Sequence, residues 1–226
     1  MKRFILVSFL IIGIAFSSNA QSSSADRFGY GILFGGNISG IREDPDQLYV
    51  SSKFGFQFGG FADYYFSENV YVKGDLIFIT KGARNEARAS EVKIYTEINP
   101  MYLQIPIVFG YSINANKDIN INLNLGGYLA LGIAGKSKSR IEGIPQKRNE
   151  TINYFSETKE VNLLYLGNNN RFDSGLRFGV GIDVNKLLFL SADFDLGLVN
   201  VYNDKNTSDY YSKYNYSLGL SLAYRF

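Results

Sequence analysis

The chain closes on a segment in which every second residue changes character. Tyr216, Leu218, Leu220, Leu222, Tyr224 and Phe226 are apolar or aromatic, whereas Asn215, Ser217, Gly219, Ser221, Ala223 and Arg225 are small or polar. Side chains on a strand alternate faces with period two, so this is one long strand with two unlike faces. The alternation recurs seven more times. It runs over Phe28 to Gly40, Lys53 to Phe66, Val70 to Lys81, Leu103 to Tyr111, Ile119 to Ile133, Arg171 to Val184 and Leu188 to Leu198. Ile77 and Ile79 blur the polar face of the third strand, and the fourth has a possible earlier start at Val92. Most of these strands reach about 12 to 16 residues, well beyond the ordinary 5 or 6. Only Pro106 interrupts them with a proline, as central strands require.

The first twenty residues read as an export signal. Lys2 and Arg3 precede an apolar run, Phe4 to Phe16, and Ser18-Asn19-Ala20 is a small-residue cleavage signature. The run is shorter than the roughly 20 residues of a membrane-spanning helix. The expectation is a cleaved signal over residues 1–20 and a single domain over residues 21–226. Cleavage would remove Lys2 and Arg3 from the 23 basic residues, leaving 21 against 21 acidic ones. That balance gives no reason to expect a nucleic-acid partner. The chain has no cysteine and no histidine. Disulfides and thiolate metal sites are thereby excluded, and the commonest general base is missing. No cofactor is expected.

Periodicity does not say which face looks inward. A soluble barrel keeps its apolar face inside, and a membrane barrel turns it outward. Three features favour the membrane. The strands are long enough to cross tilted, which takes about 9 to 11 residues. The polar face is rich in glycine, asparagine and serine, which suit a narrow lumen. Aromatics such as Phe28, Tyr30, Tyr64, Phe66, Tyr111, Tyr224 and Phe226 sit toward strand ends, where interfacial girdles belong. Lipid offers no partner to an open sheet edge, so the strands must close on themselves. The prediction is an all-β, eight-stranded, antiparallel up-and-down transmembrane barrel. Its even strand count places both termini on the periplasmic side. Ser67 to Asn69, Ser112 to Asp118 and Asn185 to Leu187 are short connections on that side; Ile41 to Ser52, Gly82 to Glu91, Lys136 to Asn170 and Tyr202 to Ser212 are longer and face outward. Within the longest, Val161 to Leu166 has the composition to extend a strand above the membrane.

Several stretches resemble a known family. Tyr30-Gly31-Ile32 with Gly36-Asn37-Ile38-Ser39 and Leu76-Ile77-Phe78-Ile79-Thr80-Lys81-Gly82-Ala83 are two of them. Tyr102-Leu103-Gln104-Ile105-Pro106, Arg171-Phe172-Asp173-Ser174-Gly175-Leu176 and Gly179-Val180-Gly181 complete the set. Together they resemble the first, third, fourth and sixth strands of the PorT-like outer-membrane β-barrel family. The resemblance implies an outer-membrane location and an eight-stranded barrel. It does not imply one activity. The founding member looks like a component of a protein-secretion apparatus, and many relatives are called porin-like.

Candidate residues follow from the strand pattern. Tyr224-Arg225-Phe226 resembles the carboxy-terminal assembly signal that barrel-insertion machinery recognises, with Tyr224 and Phe226 as its aromatic anchors; the alternative is an ordinary last strand. A three-residue turn at Asn185 to Leu187 would set Arg177 opposite Asp195, and the turn at Ser67 to Asn69 would set Asp63 opposite Lys73. These four are candidates for ion pairs that fill a narrow lumen, or else for a solute-selective lining. Asp193 and Asp195 share a face but lack the partners of an acid–base pair. Glu43-Asp44-Pro45-Asp46 offers oxygen ligands of the kind Ca²⁺ takes, though a solvated turn explains it as well. Tyr202, Tyr210, Tyr211 and Tyr214 suit an adaptable binding loop or a plain outer loop.

The sequence therefore points to a non-enzymatic outer-membrane barrel with a structural or interaction role. The alternatives are a secretion-complex subunit and a narrow solute channel. Outer-membrane lipid, the insertion machinery during assembly, and protein partners at the outer loops or barrel wall are the expected contacts.

Overall fold

A computed structural model describes residues 27–44, 50–89, 92–143, 148–156, 159–161, 164–166, 169–185, 187–202 and 212–226. The expected signal over residues 1–20 lies outside these residues, as do Pro45, Asp46, Tyr210 and Tyr211. The strands are β1 (Phe28–Asp44), β2 (Val50–Tyr65), β3 (Val70–Thr80), β4 (Ala83–Ala89), β5 (Val92–Asn114) and β6 (Ile119–Glu142). They continue with β7 (Arg148–Asn153), β8 (Lys159–Val161), β9 (Leu164–Leu166), β10 (Phe172–Val184), β11 (Leu188–Gly197) and β12 (Ser212–Arg225). Eight of these, β1, β2, β3, β5, β6, β10, β11 and β12, pair antiparallel in a ring. The ring closes where β12 returns to β1, with Leu222 opposite Phe34 and Leu218 opposite Ile38.

The faces are those of a membrane barrel. Leu218, Leu220 and Leu222 are 53%, 59% and 55% exposed, while Ser217 and Ser221 between them are 2% and 4% exposed. Apolar side chains outside and polar ones inside invert the arrangement of a water-soluble protein. The small inner residues let the wall curve tightly around a lumen that side chains fill. Ile77 and Ile79 point inward with the polar set and are buried. With Leu33, Phe61 and Ala223 near one end, and Tyr102, Tyr128 and Ala130 nearer the other, they form two apolar clusters inside the lumen. Pro106 is also buried there. The β3–β5 ladder keeps one register from Gly74 opposite Ile107 to Ile77 opposite Gln104 but is unpaired between them, beside Pro106, which has no N–H to give the ladder.

The two rims are built differently. On the turn rim, Ser112 N donates to Asn69 O, Asn185 N to Asp118 O and Arg225 N to Leu187 O, each at 2.7–2.8 Å. Phe226 N donates to Tyr30 O at 2.9 Å. The short turns and the chain end thus stitch this rim into a continuous hydrogen-bonded edge. On the loop rim, much of what reads as loop in the sequence is strand. β5 and β6 run 23 and 24 residues, and β4 and β7 flank them. Gly82 to Glu91 therefore holds β4, and Lys136 to Asn170 holds the end of β6 and all of β7. Charged and polar residues there hide the two-residue alternation. Val161 to Leu166 does not prolong a barrel strand: β8 and β9 pair only with each other among the described residues.

A bulge separates the barrel from this extension. Met101 pairs with Ala134 but Tyr102 with Gly132, so Ile133 is an extra residue on β6. The extra residue reverses which side chains of β6 face in. Below it Tyr128 and Ala130 are buried; above it Ser137, Ser139 and Ile141 are.

Candidate functional site

The middle of the lumen is organised by Arg177. The turn after Val184 carries Asn185 in the left-handed region at φ 54°, and the register it sets brings Arg177 opposite Asp195. The guanidinium takes the carboxylate with two bonds, Nε to Oδ1 at 2.6 Å and Nη2 to Oδ2 at 2.8 Å. Gln104 Nε2 donates to the same Oδ2 at 2.7 Å, and Nη1 of Arg177 lies 3.7 Å from Asp75. Arg177 is 5% exposed and Asp195 1%. Such a pair survives burial because its geometry is bidentate and its remaining lone pairs are occupied. Asp195 is therefore committed to Arg177 and Gln104. Asp193, two residues away, accepts from Ser191 Oγ at 2.9 Å. The two carboxylates do not form an acid–base pair around a substrate space.

A second buried pair lies toward the loop rim. Lys81 Nζ sits 3.2 Å from Asp173 Oδ2, with both side chains essentially inaccessible. The ammonium also lies 4.6 Å from the Tyr128 ring centroid and 5.4 Å from that of Tyr102. Asn215 Nδ2 donates to the same carboxylate at 3.0 Å. Strand periodicity puts Lys81 and Asp173 on polar faces but cannot pair them. β3 neighbours β2 and β5, and β10 neighbours β6 and β11, so this contact crosses the lumen rather than a ladder.

Asp63 and Lys73 stand opposite each other in the β2–β3 register, yet they take other partners. Asp63 binds Arg225 from β12, and Lys73 lies 3.3 Å from Asp75 on its own strand. Gly29 is the reason Arg225 reaches. It stands opposite Asp63 on β1, and a Cβ there would lie 2.5 Å from Asp63 Oδ1 and 2.6 Å from Arg225 Nε. With no side chain in the gap, the bridge passes over β1. Arg225 also stacks 4.5 Å over the Phe189 ring.

These groups leave little space. The central cavity, bordered by Lys73, Asp75, Arg177 and Asp193, measures about 30 Å³, room for a couple of waters. Toward the loop rim, Phe155 packs edge-on against Tyr102 at 6.0 Å and fills the place a side chain on Gly132 would occupy. Arg171 lies 4.8 Å over the Phe155 ring. Toward the turn rim, an open mouth of about 650 Å³ is bordered by Tyr65, Glu68, Asn120, Asp183 and Arg225. At the wall of that rim, Tyr224 and Phe226 are 44% and 61% exposed on the apolar face, their rings 5.5 Å apart. Phe226 lies 5.7 Å from the Tyr30 ring.

The family model described as "Outer membrane protein beta-barrel domain" matches residues 19–203. The chain belongs to this family. Its place is the outer membrane. Among solved structures, the chain is similar to the attachment invasion locus protein Ail of Yersinia pestis at 16% identity, covering 88% of this chain and 99% of that one, with a TM-score of 0.37. It is similar to OprG of Pseudomonas aeruginosa at 11% identity, with 88% and 97% coverage and a TM-score of 0.43. Neisserial surface protein A matches at 11% identity, with 87% and 97% coverage and a TM-score of 0.40. No curated protein matches the chain.

Among the described residues, the sheet continues past the lipid-facing residues on the loop rim. β2, β4, β5, β6 and β7 are joined edge to edge beyond the lipid-facing residues. Glu97 on β5 anchors charge there. Lys53 Nζ donates to it at 2.6 Å and Asn99 Nδ2 at 3.0 Å, which holds its carboxyl down at about 2. Arg84 approaches its other oxygen at 3.5 Å.

Proposed function

We propose that this protein is a non-conducting, non-enzymatic outer-membrane barrel with a structural or interaction role, presenting its strand extension as the surface that partners meet. One observation carries this reading: the lumen is occupied at its middle by the Arg177–Asp195–Gln104 network and toward the loop rim by Lys81–Asp173. A solute path needs an open polar lumen, whereas these side chains stabilise each other across the one present here. The absence of histidine and cysteine from the whole sequence supports a non-enzymatic role. In this reading the chain is exported by a cleaved signal over residues 1–20, and insertion machinery recognises Tyr224 and Phe226. The turn rim and both termini then lie in the periplasm, and the loop rim lies outside.

A second reading, a subunit of a protein-secretion complex, draws on the PorT-like motifs in β1, β3, β5 and β10. Purified, folded protein in planar bilayers should show no single-channel conductance; steady ion conductance would overturn the non-conducting reading. Pull-down in mild detergent separates the other two. Co-purification of export components, with loss of secreted proteins on deletion, favours the secretion subunit. Normal secretion after deletion removes it.

A further inference from the structure

The outer wall of the barrel changes chemistry where the strands run past the lipid-facing residues. β5 carries no extra residue, so Asn99, Glu97, Tyr95 and Lys93 continue, in steps of two, the face of Leu103. Opposite Asn99 and Glu97 on β6 stand Lys136 and Lys138, and opposite Tyr95 and Lys93 stand Arg140 and Glu142. On β4, Arg84, Glu86 and Arg88 stand opposite Glu97, Tyr95 and Lys93, in the same rows. The rows hold six bases, Arg84, Arg88, Lys93, Lys136, Lys138 and Arg140, against three acids, Glu86, Glu97 and Glu142. Lys53 brings a further ammonium to Glu97. The other side of β5 and β6 over the same stretch is Ile94, Thr96, Ile98, Ser137, Ser139 and Ile141, without a charge. On these two strands the charge, with its basic excess, is confined to the outer wall.

Two of the acids are occupied. Glu97 takes Lys53 at 2.6 Å and Arg84 at 3.5 Å, and Glu142 takes Arg140. Lys136 and Lys138 are exposed and have no acid within salt-bridge reach among the described residues. Their height decides what they meet. Ile133, the last large apolar residue of this wall on β6, is 45% exposed. Lys136 and Lys138 follow it by three and five residues, roughly 10 and 17 Å along the strand. A strand tilt of about 35–45° turns these into about 7–8 and 12–14 Å of height. The headgroup layer fills roughly 5–8 Å outside the hydrocarbon core. Lysine stems lie back along apolar surface, which brings both ammonium groups to that layer.

We propose that Lys136 and Lys138 bind the phosphate groups of an outer-leaflet glycolipid packed against β5 and β6. The proposal rests on the orientation in the reading above, which puts the loop rim outside, and names a lipid partner for its strand extension. An unpaired cation at headgroup height, on the wall that lipid touches, is matched by an anionic headgroup, and the anionic lipid of the outer leaflet is a phosphorylated glycolipid.

The full-length barrel, folded in neutral detergent, is titrated with bisphosphorylated lipid A and with the same lipid A stripped of phosphate, and bound lipid is counted by native mass spectrometry. The phosphorylated form should bind about tenfold more tightly or better. Lys136→Gln/Lys138→Gln should cut its affinity roughly 20-fold, about fivefold for each lysine, and leave the stripped lipid unaffected. Raising NaCl to about 0.5 M should also weaken the phosphorylated form selectively. Arg42→Gln removes an exposed base at the same rim on β1 and should change nothing. The heat-modifiable gel band shows whether each variant is folded; should the double variant fail, the single variants and the salt titration read the same contact. Equal affinity for the two lipids, no loss in Lys136→Gln/Lys138→Gln, or an equal loss in Arg42→Gln overturns the proposal. Phosphatidylglycerol binding as tightly as lipid A also overturns it, because the face would then take any anionic headgroup.

The orientation is read separately. The chain has no cysteine, so Asn149→Cys and Lys117→Cys report the loop rim and the turn rim to an impermeant maleimide on intact cells. Labelling of Asn149→Cys without lipid A binding overturns this inference and leaves the orientation standing. Labelling of Lys117→Cys alone overturns both.

Discussion

Arg177 holds Asp195 through two parallel hydrogen bonds of 2.6 and 2.8 Å at the centre of the lumen, and Gln104 and Asp75 close in around the pair. The arrangement is a strut between neighbouring strands, and its removal from one side leaves a buried charge without its partner.

Arg177→Leu should therefore destabilise the barrel by about 3–5 kcal/mol, because Asp195 is left buried and unpaired. The double variant Arg177→Leu/Asp195→Leu should recover much of that loss, since neither charge then remains. Urea unfolding of the detergent-folded barrel, followed by the heat-modifiable gel band, measures both. Equal losses in the single and double variants would show that the pair contributes packing rather than charge balance.

Gly29 governs the bridge between Asp63 and Arg225. A side chain at this position meets Asp63 Oδ1 and Arg225 Nε at under 3 Å. Gly29→Val should cost about 1–3 kcal/mol, the usual penalty for overpacking, and release Arg225 from Asp63. Gly60→Ala is the control. Its added Cβ meets only Gly31 O, at 3.4 Å, and unfolding should scarcely change.

Glu97 gives the extension a pH dependence. Its folded pKa of about 2 lies below the ordinary 4.5, through hydrogen bonds from Lys53 and Asn99. A depressed carboxyl contributes stability that is fully present above pH 4.5 and is lost as pH falls toward 2. Amide exchange in β4 and the outer half of β5 should quicken between pH 5 and pH 3 in the parent protein, after correction for intrinsic exchange, while the mid-barrel amides hold. Glu97→Gln should abolish that difference.

The aromatic chain end separates assembly from stability. Tyr224 and Phe226 are exposed on the lipid side, their rings beside each other and that of Phe226 beside Tyr30. Tyr224→Ala/Phe226→Ala should lower the folded fraction in the cell outer membrane several-fold while changing detergent refolding only slightly. Equal defects in both settings would assign these residues to stability and remove their role as a recognition signal.

The residues differ in how far local rules reach. Arg177 and Asp195 were legible as opposite neighbours because a three-residue turn fixes the register of one hairpin, and the period of two fixes the face. The same rule set Asp63 opposite Lys73 correctly but could not foresee Arg225, which arrives over Gly29 from two strands away. β4 and β7 were illegible for a related reason. In this extension both faces carry polar residues, so the apolar–polar alternation that marks the other strands fades from the sequence.

The sequence alone determined the number of barrel strands, their two faces and the side that meets lipid, because those follow from side-chain alternation and from the need to pair every backbone group. Only the tertiary structure decided what fills the lumen. Lys81 and Asp173 meet because closing eight staggered strands brings β3 and β10 within a side chain's reach. The inward turn of Ser137 and Ser139 depends likewise on one extra residue at Ile133, a bulge that appears only when β6 is laid against β5.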